Sequence, residues 1–185
     1  GEFTAAATAG VISSEDAMRF VTQRGVAMES IGGDPGAMAA LRTDSEGAAS
    51  FCVPGVVVAN VNHPSQVVIS GFSPAVAETV EKAKMAGVEA KPLEVSHGFH
   101  SPTLEGLEVQ PLVDAMGFEE PGVPVASGIA DTPYRDAAHA REIFARHAVS
   151  PVNFIGALRQ CQAAGAEIYL QVASGGPLAS FTRGT

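Results

Sequence analysis

The sequence predicts an α/β protein with a parallel sheet in its core and a small inserted subdomain of ferredoxin-like kind. Its 185 residues suffice for a domain with its own hydrophobic core, without metal or disulfide cross-links. Hydrophobic residues make up 46% of the chain and charged residues 17%, a composition too apolar for intrinsic disorder. Segments with strand and helix patterns alternate in the outer parts of the chain, which is typical of an α/β core.

The N-terminal part is predicted to be helical. After an alanine-rich stretch, Ser13 or Ser14 offers an N-cap, and acidic residues follow in the first turn, so a helix is expected to about Ile31. Apolar residues recur along it at helical spacing in two series, and both series pass through Arg24. Arg24 is therefore predicted to face the protein interior.

Residues 37–95 are predicted to form the inserted subdomain. Strand patterns occupy four segments, residues 37–41, 56–61, 66–70 and 88–95. Ser73 and Pro74 begin a helix before the last strand, and Gly87 ends it. The order strand, excursion, strand, strand, helix, strand fits a ferredoxin-like unit.

The remaining segments again alternate between the two kinds of structure. Helices are predicted over three segments, residues 103–116, 137–147 and 151–164. Short strands are predicted over residues 123–127 and 167–172, before a Gly-Gly-Pro loop. Residues 1–36 and 96–185 are therefore predicted to form the α/β core around the insert.

Charge and composition exclude several classes of partner. The chain carries 20 acidic and 11 basic residues, a net charge of −9, so it offers no electrostatic footprint for nucleic acid. Its longest aliphatic run, residues 56–61, is far shorter than the roughly 18 apolar residues that span a bilayer. Cys52 and Cys161 form no metal-binding pattern, and no secretory leader is recognisable. We expect a soluble cytoplasmic protein without a metal.

Arg24 is the first residue that points to chemistry. A guanidinium on an apolar helix face stays charged and needs an anion or several acceptors. Residue frequencies favour an internal salt bridge to one of the acidic side chains, and a ligand carboxylate is the alternative.

The segment from Ser96 to Pro102 follows a predicted strand, where α/β folds place reactive loops. His97 and His100 flank a Gly-Phe pair in it. An imidazole can act as the general base that activates a serine hydroxyl when a third group fixes its tautomer. The alternative is that one histidine caps a backbone group and the other is exposed. The remaining three histidines are scattered and are expected at the surface or as caps.

The series of motifs along the chain resembles that of one enzyme family. Residues 1–6, GEFTAA, resemble the tail of a GHSxGE nucleophile motif, and residues 11–28 resemble a helix that carries a conserved arginine. Further motifs follow in the same order at residues 36–40, 62–64, 67–71, 97–102 and 150–152. Together they resemble the acyltransferases that include malonyl-CoA:acyl-carrier-protein transacylases and the acyltransferase domains of polyketide and fatty-acid synthases. The resemblance covers nearly the whole chain and implies a hydrolase-like core.

The resemblance also implies roles for individual residues. Arg24 falls on the arginine that holds the free carboxylate of a malonyl-type substrate, which favours the ligand interpretation of this residue. His100 falls on the catalytic histidine, and His147 falls on the position whose backbone carbonyl orients that imidazole. Asn62, in the Asn-His-Pro motif, is expected to bind substrate.

The segment from His97 to His100 resembles the HAFH signature of family members that prefer malonyl over methylmalonyl units, with Gly98 in place of alanine. His97 and Phe99 are therefore expected to line the substrate site. The Phe99 ring can crowd an α-methyl branch, and one methyl group is worth about 1–3 kcal/mol of discrimination.

The implied reaction moves malonyl from coenzyme A to the phosphopantetheine thiol of an acyl carrier protein by a ping-pong Ser–His mechanism. Coenzyme A thioester is then a substrate, and no permanently bound cofactor is expected. In this register the nucleophilic serine lies two residues before Gly1, in the missing N-terminal part of the core. An upstream polypeptide would supply the serine, neighbouring synthase domains are further partners, and the chain alone is expected to be inactive.

Two alternatives follow from the absent serine and from the arginine. The chain could be a noncatalytic scaffold that docks synthase domains, or a hydrolase that releases acyl groups to water, which an inward arginine suits less well. Residues 172–177, VASGGP, also depart from the Val-Gly-Pro-Gly that is usual in the C-terminal loop of the family.

Overall fold

The computed structural model describes residues 1–172 and 175–183. Its strands are β1 (Ala37–Leu41), β2 (Val56–His63), β3 (Gln66–Gly71), β4 (Ala90–Pro92) and β5 (Val152–Asn153). Its helices are α1 (Glu2–Thr8), α2 (Ser14–Glu29), α3 (Ser45–Phe51), α4 (Ser73–Met85), α5 (Gln110–Asp114), α6 (Ala137–Arg146), α7 (Phe154–Ala163) and α8 (Leu178–Thr182). The strands form one mixed sheet in the order β4-β1-β3-β2-β5, with helices packed around it. The predicted α/β class is confirmed.

Residues 37–95 contribute four antiparallel strands to this sheet. The order of elements is the predicted one, except that the polar excursion after β1 contains α3. The Asp44 side chain starts this helix by accepting a hydrogen bond from the Gly47 N–H at 2.8 Å. The last strand is shorter than predicted, because only residues 90–92 pair with β1. The division of the chain into a core and a ferredoxin-like subdomain stays a prediction.

Parallel pairing within the described residues is confined to β5, which lies beside β2 with Val152 opposite Asn60. The other two predicted core strands are irregular there. The backbone of residues 123–127 is bonded to a loop and to a side chain, as the 2.9 Å bond from Tyr134 N–H to the Val125 carbonyl shows. Residues 167–172 have no strand neighbour in the described part of the chain. Residues 173 and 174, in the divergent C-terminal loop, lie outside the described residues.

Two predicted helix boundaries were wrong for a local reason. Pro111 is the second residue of α5 instead of lying inside a long helix, because proline lacks the N–H that an inner helical position needs. The last long helix begins at Phe154 rather than at Pro151, because Asn153 caps it by accepting from the Gly156 N–H at 2.8 Å. Across residues 1–172 and 175–183, no helix is both long and apolar enough to span a membrane.

An aromatic cluster joins helices α1, α2 and α6. The Phe3 ring of α1 lies 5.1 Å from Phe20 of α2 and 4.8 Å from Phe144 of α6, measured between ring centroids. Phe20 and Phe144 are fully buried. Such ring contacts stabilise the fold beyond the area they bury. The cluster fixes α2, and hence Arg24, relative to the N-terminus of α1.

Three glycines allow three segments to approach one another next to the His97–His100 loop. The Gly98 N–H donates to the Pro35 carbonyl at 2.8 Å. A Cβ atom on Gly36, which has a φ of +79°, would lie 2.8 Å from the Gly71 carbonyl oxygen. A Cβ atom on Gly71 would lie 2.1 Å from the carbonyl oxygen of Gly55. Gly36 and Gly71 therefore occupy positions that require glycine.

We predict that Gly71→Ala lowers the free energy of unfolding by about 2 kcal/mol, because the added methyl group overlaps the backbone of the neighbouring strand. Gly25→Ala is the matched control, since no atom lies within 4 Å of its Cβ position in α2, and it should stabilise the protein by about 0.5–1 kcal/mol. Urea denaturation measures both. Equal stability of the two variants would contradict this account.

Candidate active site

The loop that carries His100 is held in an unusual backbone conformation. The hydroxyls of Ser101 and Thr103 donate to the Gly98 carbonyl at 2.7 and 2.8 Å. His100 has a φ of +58°, the only positive φ among the described residues that are not glycine. Its N–H donates to the Ala148 carbonyl at 3.0 Å. Strained conformations of this kind persist where the surroundings impose them, and they are common at functional sites.

Two backbone carbonyls fix the imidazole of His100. Its Nδ1 lies 3.1 Å from the His147 oxygen and 2.9 Å from the Ser150 oxygen. Carbonyl oxygens only accept, so Nδ1 carries the proton and Nε2 has a free lone pair. This is the tautomer that a general base needs. The His147 carbonyl lies within hydrogen-bonding distance of Nδ1, and the orienting role that the resemblance implies for it stays a prediction.

The electrostatic surroundings keep His100 neutral. Burial is the main cause that lowers its pKa, and repulsion from His147 and Arg24 adds to it. Hydrogen bonds to the two carbonyls oppose the shift, and the resulting pKa is about 4. The imidazole is therefore unprotonated at neutral pH and able to accept a proton.

Arg24 lies half-buried on α2. Its guanidinium carbon is 5.2 Å from the centroid of the Phe3 ring. Its Nε atom is buried and makes no hydrogen bond, and burial lowers the pKa of the side chain. No carboxylate within residues 1–172 and 175–183 is close enough to form an ion pair with it. The internal salt bridge that residue frequencies favour is thus not formed in this part of the chain.

Phe99 and His97 flank the same loop. Phe99 packs against two small apolar clusters, one containing Met28 and Leu104 and the other containing Met38. His97 is buried, with its ring centroid 6.0 Å from that of Phe99. The Phe99 ring is therefore held in place beside His100 by the packing around it.

A cleft of about 480 Å³ opens beside His100. Its polar lining includes Glu2, Asn60 and His147, and apolar residues of β5, α7 and α8 complete the wall. Asn62 follows Asn60 by two residues on β2 and does not line this cleft, nor does Arg24. The structure thus brings His100 and His147 together here, and the roles of all the predicted site residues stay predictions.

Sequence reasoning missed Glu2 and Asn60. Glu2 was visible as the acidic end of the N-terminal motif, but the sequence gives no hint of its partners. Asn60 interrupts an aliphatic strand, and this polar break is the signal that could have marked it. No group of three or more histidine, cysteine or acidic residues in the described chain is arranged to hold a metal ion.

The acyl transferase domain family matches residues 1–179. The chain belongs to this family. It is 34% identical over 189 residues to the spectinabilin polyketide synthase system protein NorB of Streptomyces orinoci, covering 99% of the chain and 9% of that protein. It is 33% identical over 196 residues to the malonyl CoA-acyl carrier protein transacylase of Bacillus subtilis (strain 168), covering 99% of the chain and 61% of that enzyme.

Solved structures show the same fold. The acyltransferase domain from the second module of the salinomycin polyketide synthase matches with a TM-score of 0.87 and 32% identity, over 99% of this chain and 44% of that one. A malonyl-transacylase in complex with the acyl-carrier protein of a type II polyketide synthase matches with a TM-score of 0.91 and 26% identity, over 100% of this chain and 63% of that one. The chain thus spans less than two thirds of each of these relatives.

We predict that Arg24→Met raises the pKa of His100 above its value of about 4, because one repelling cation is removed. The pKa stays below 6.5, since burial is the larger cause. NMR titration of the imidazole measures it. Arg19→Met is the control, because Arg19 already pairs with Glu15 and Asp16 on the exposed side of α2. An unchanged or lower pKa in Arg24→Met contradicts the assignment.

Proposed function

We propose that this chain carries the general base and the carboxylate clamp of an acyltransferase that moves a malonyl unit from coenzyme A to the phosphopantetheine thiol of an acyl carrier protein. The observation that supports it best is the half-buried Arg24, which has no carboxylate partner within residues 1–172 and 175–183 and lies close enough to His100 to lower its pKa. A buried guanidinium needs an anion, and an acyl group that ends in a carboxylate supplies one.

In the proposed first half-reaction, His100 Nε2 accepts the proton of a serine hydroxyl while the serine oxygen attacks the thioester carbonyl. The tetrahedral intermediate collapses, the C–S bond breaks, and the coenzyme A thiol leaves with the proton from His100. In the second half-reaction the thiol of the carrier gives its proton to His100 and attacks the acyl-serine ester. The serine oxygen then leaves and recovers this proton.

The nucleophilic serine is proposed to lie outside residues 1–185, two residues before Gly1. The relatives support the proposed substrate and acceptor, since one is a malonyl CoA-acyl carrier protein transacylase and another is a transacylase bound to an acyl-carrier protein. Coenzyme A thioester is proposed as a substrate, without a permanently bound cofactor, and neighbouring synthase domains are proposed as partners in the cytoplasm.

Malonyl is proposed as the preferred unit. Phe99 packs against two apolar clusters, which restrict its movement, so its ring limits the room for an α-methyl branch. Residues 37–95 are proposed to form the ferredoxin-like subdomain, which packs against the His97–His100 loop.

We expect Arg24→Ala, in the protein that includes the serine, to lower kcat/KM for malonyl-CoA about 100-fold, the cost of losing a partner in a buried charge pair. Acetyl-CoA has no free carboxylate, so its transfer should be unchanged or faster. The assay follows transfer of radiolabelled acyl groups to the carrier protein. Arg19→Ala, on the exposed side of α2, is the matched control and should behave as wild type. Equal loss with both acyl groups in Arg24→Ala would remove the clamp from the mechanism.

The pH dependence provides a second test. A general base must be unprotonated, so kcat/KM for malonyl-CoA should stay constant from pH 7 to about pH 5 and then fall as the pH drops through about 4, the pKa of His100. Stopped-flow measurements over short times limit acid unfolding. His63→Gln, a change at the last residue of β2, should give the same profile. An acid limb near pH 6.5 would show that His100 is not shifted in the working enzyme.

A further inference from the structure

The buried carboxylate of Glu2 is surrounded by four hydrogen-bond donor groups. Only 11% of its side chain is exposed. Its Oε1 accepts from the Ser127 hydroxyl at 2.7 Å and from the Tyr134 hydroxyl at 3.1 Å. Its Oε2 accepts from the Gly128 N–H at 3.0 Å and lies 3.4 Å from His147 Nε2. Both oxygens are therefore satisfied, and all of their partners lie more than 120 residues away along the chain.

This environment requires the ionised carboxylate. Burial raises the pKa of Glu2, but interactions with His147, Ser127 and Gly128 outweigh it, and the pKa is lowered overall. A protonated carboxyl would turn its own hydrogen toward one of these four donors. Glu2 is thus a fixed buried anion at neutral pH, and the donors around it are held in position by that charge.

One of these donors belongs to the residue that orients the proposed general base. The His147 side chain faces Glu2, while the backbone oxygen of the same residue accepts from His100 Nδ1 at 3.1 Å. The His147 ring also packs on Phe3, with 4.6 Å between ring centroids, so it has little freedom to move. The position of the accepting carbonyl therefore depends on where Glu2 holds this ring.

We infer that Glu2 is a positioning residue for His100, acting through His147. The inference rests on the proposed function, in which His100 is the base and the serine precedes Gly1 by two residues. Glu2 lies in the first turn of α1, so its carboxylate ties the proposed nucleophile end of this helix to the segment that orients the imidazole. Glu2 does not contact the imidazole of His100, and it takes no proton in the reaction.

The activity test uses the protein that includes the serine. Glu2→Gln should lower kcat for malonyl transfer about 10- to 100-fold, the cost of a misplaced catalytic group. KM should change less than about twofold, because Glu2 lies outside the carboxylate clamp. Glu15→Gln, an exposed acid at the start of α2, is the control and should retain wild-type kcat.

His147 variants isolate the link. His147→Leu removes only the side chain that faces Glu2 and should lose as much kcat as Glu2→Gln. In His147→Gln the amide can still donate to Glu2, and most of the activity should return. The double variant Glu2→Gln/His147→Leu should lose no more than the worse single variant, because both break one connection. Additive losses, or wild-type kcat in Glu2→Gln, would overturn the inference. If Glu2→Gln does not fold, the comparison of kcat between His147→Leu and His147→Gln tests the inference instead.

Hydrogen exchange tests the same link without activity. In Glu2→Gln the N–H of His100, which donates to the Ala148 carbonyl, should exchange about tenfold faster, while N–H groups of β3 keep their protection. If only the Gly128 N–H loses protection, Glu2 holds the loop at residues 127–134 alone and the inference fails. If the wild-type protein transfers no malonyl, the proposed function is refuted. If the His100 N–H nevertheless exchanges faster in Glu2→Gln than in wild type, the positioning role of Glu2 still stands.

Discussion

The two hydrogen bonds from His100 Nδ1 to the carbonyls of His147 and Ser150 are the interaction on which the site depends. They join residues that are 47 and 50 positions apart in the chain. They also select the tautomer, leave Nε2 free, and help to hold the backbone of His100 in a region of φ that a residue with a side chain rarely adopts. Two other features support this arrangement. The glycines let neighbouring segments approach the His97–His100 loop, and β5 holds the chain that follows Ser150.

The two charged side chains near the His100 imidazole, Arg24 and Glu2, do not form an ion pair with each other. Arg24 has no carboxylate partner in the described part of the chain, whereas Glu2 is saturated by four donors. Phe3 contacts both the Arg24 guanidinium and the His147 ring, so an apolar ring packs against each of these two basic side chains. The charge of Arg24 helps to lower the pKa of His100, and in the proposed function the same guanidinium binds the substrate carboxylate.

Local patterns predicted the fold where neighbouring residues decide the structure. Strands β1 and β3, and the helix that begins at Ser73, were predicted to within a residue of their first positions, because alternation, proline and N-cap signals act over a few residues. The segments 123–127 and 167–172 were predicted as strands and are irregular. A strand needs a neighbour for its backbone groups, and which segments become neighbours is a property of the whole fold.

The sequence by itself determined the family motifs, the inward side of Arg24 and the loop that carries His100, since each depends on residue type and short spacing. Only the tertiary structure decided that Arg24 has no partner within the described residues and that carbonyls rather than an acid hold the imidazole. It alone placed Glu2 beside His147. Hydrogen bonds and desolvation act over a few ångströms in space, and the chain brings these atoms together only when the segments around residues 2, 24, 100 and 147 have packed on one another.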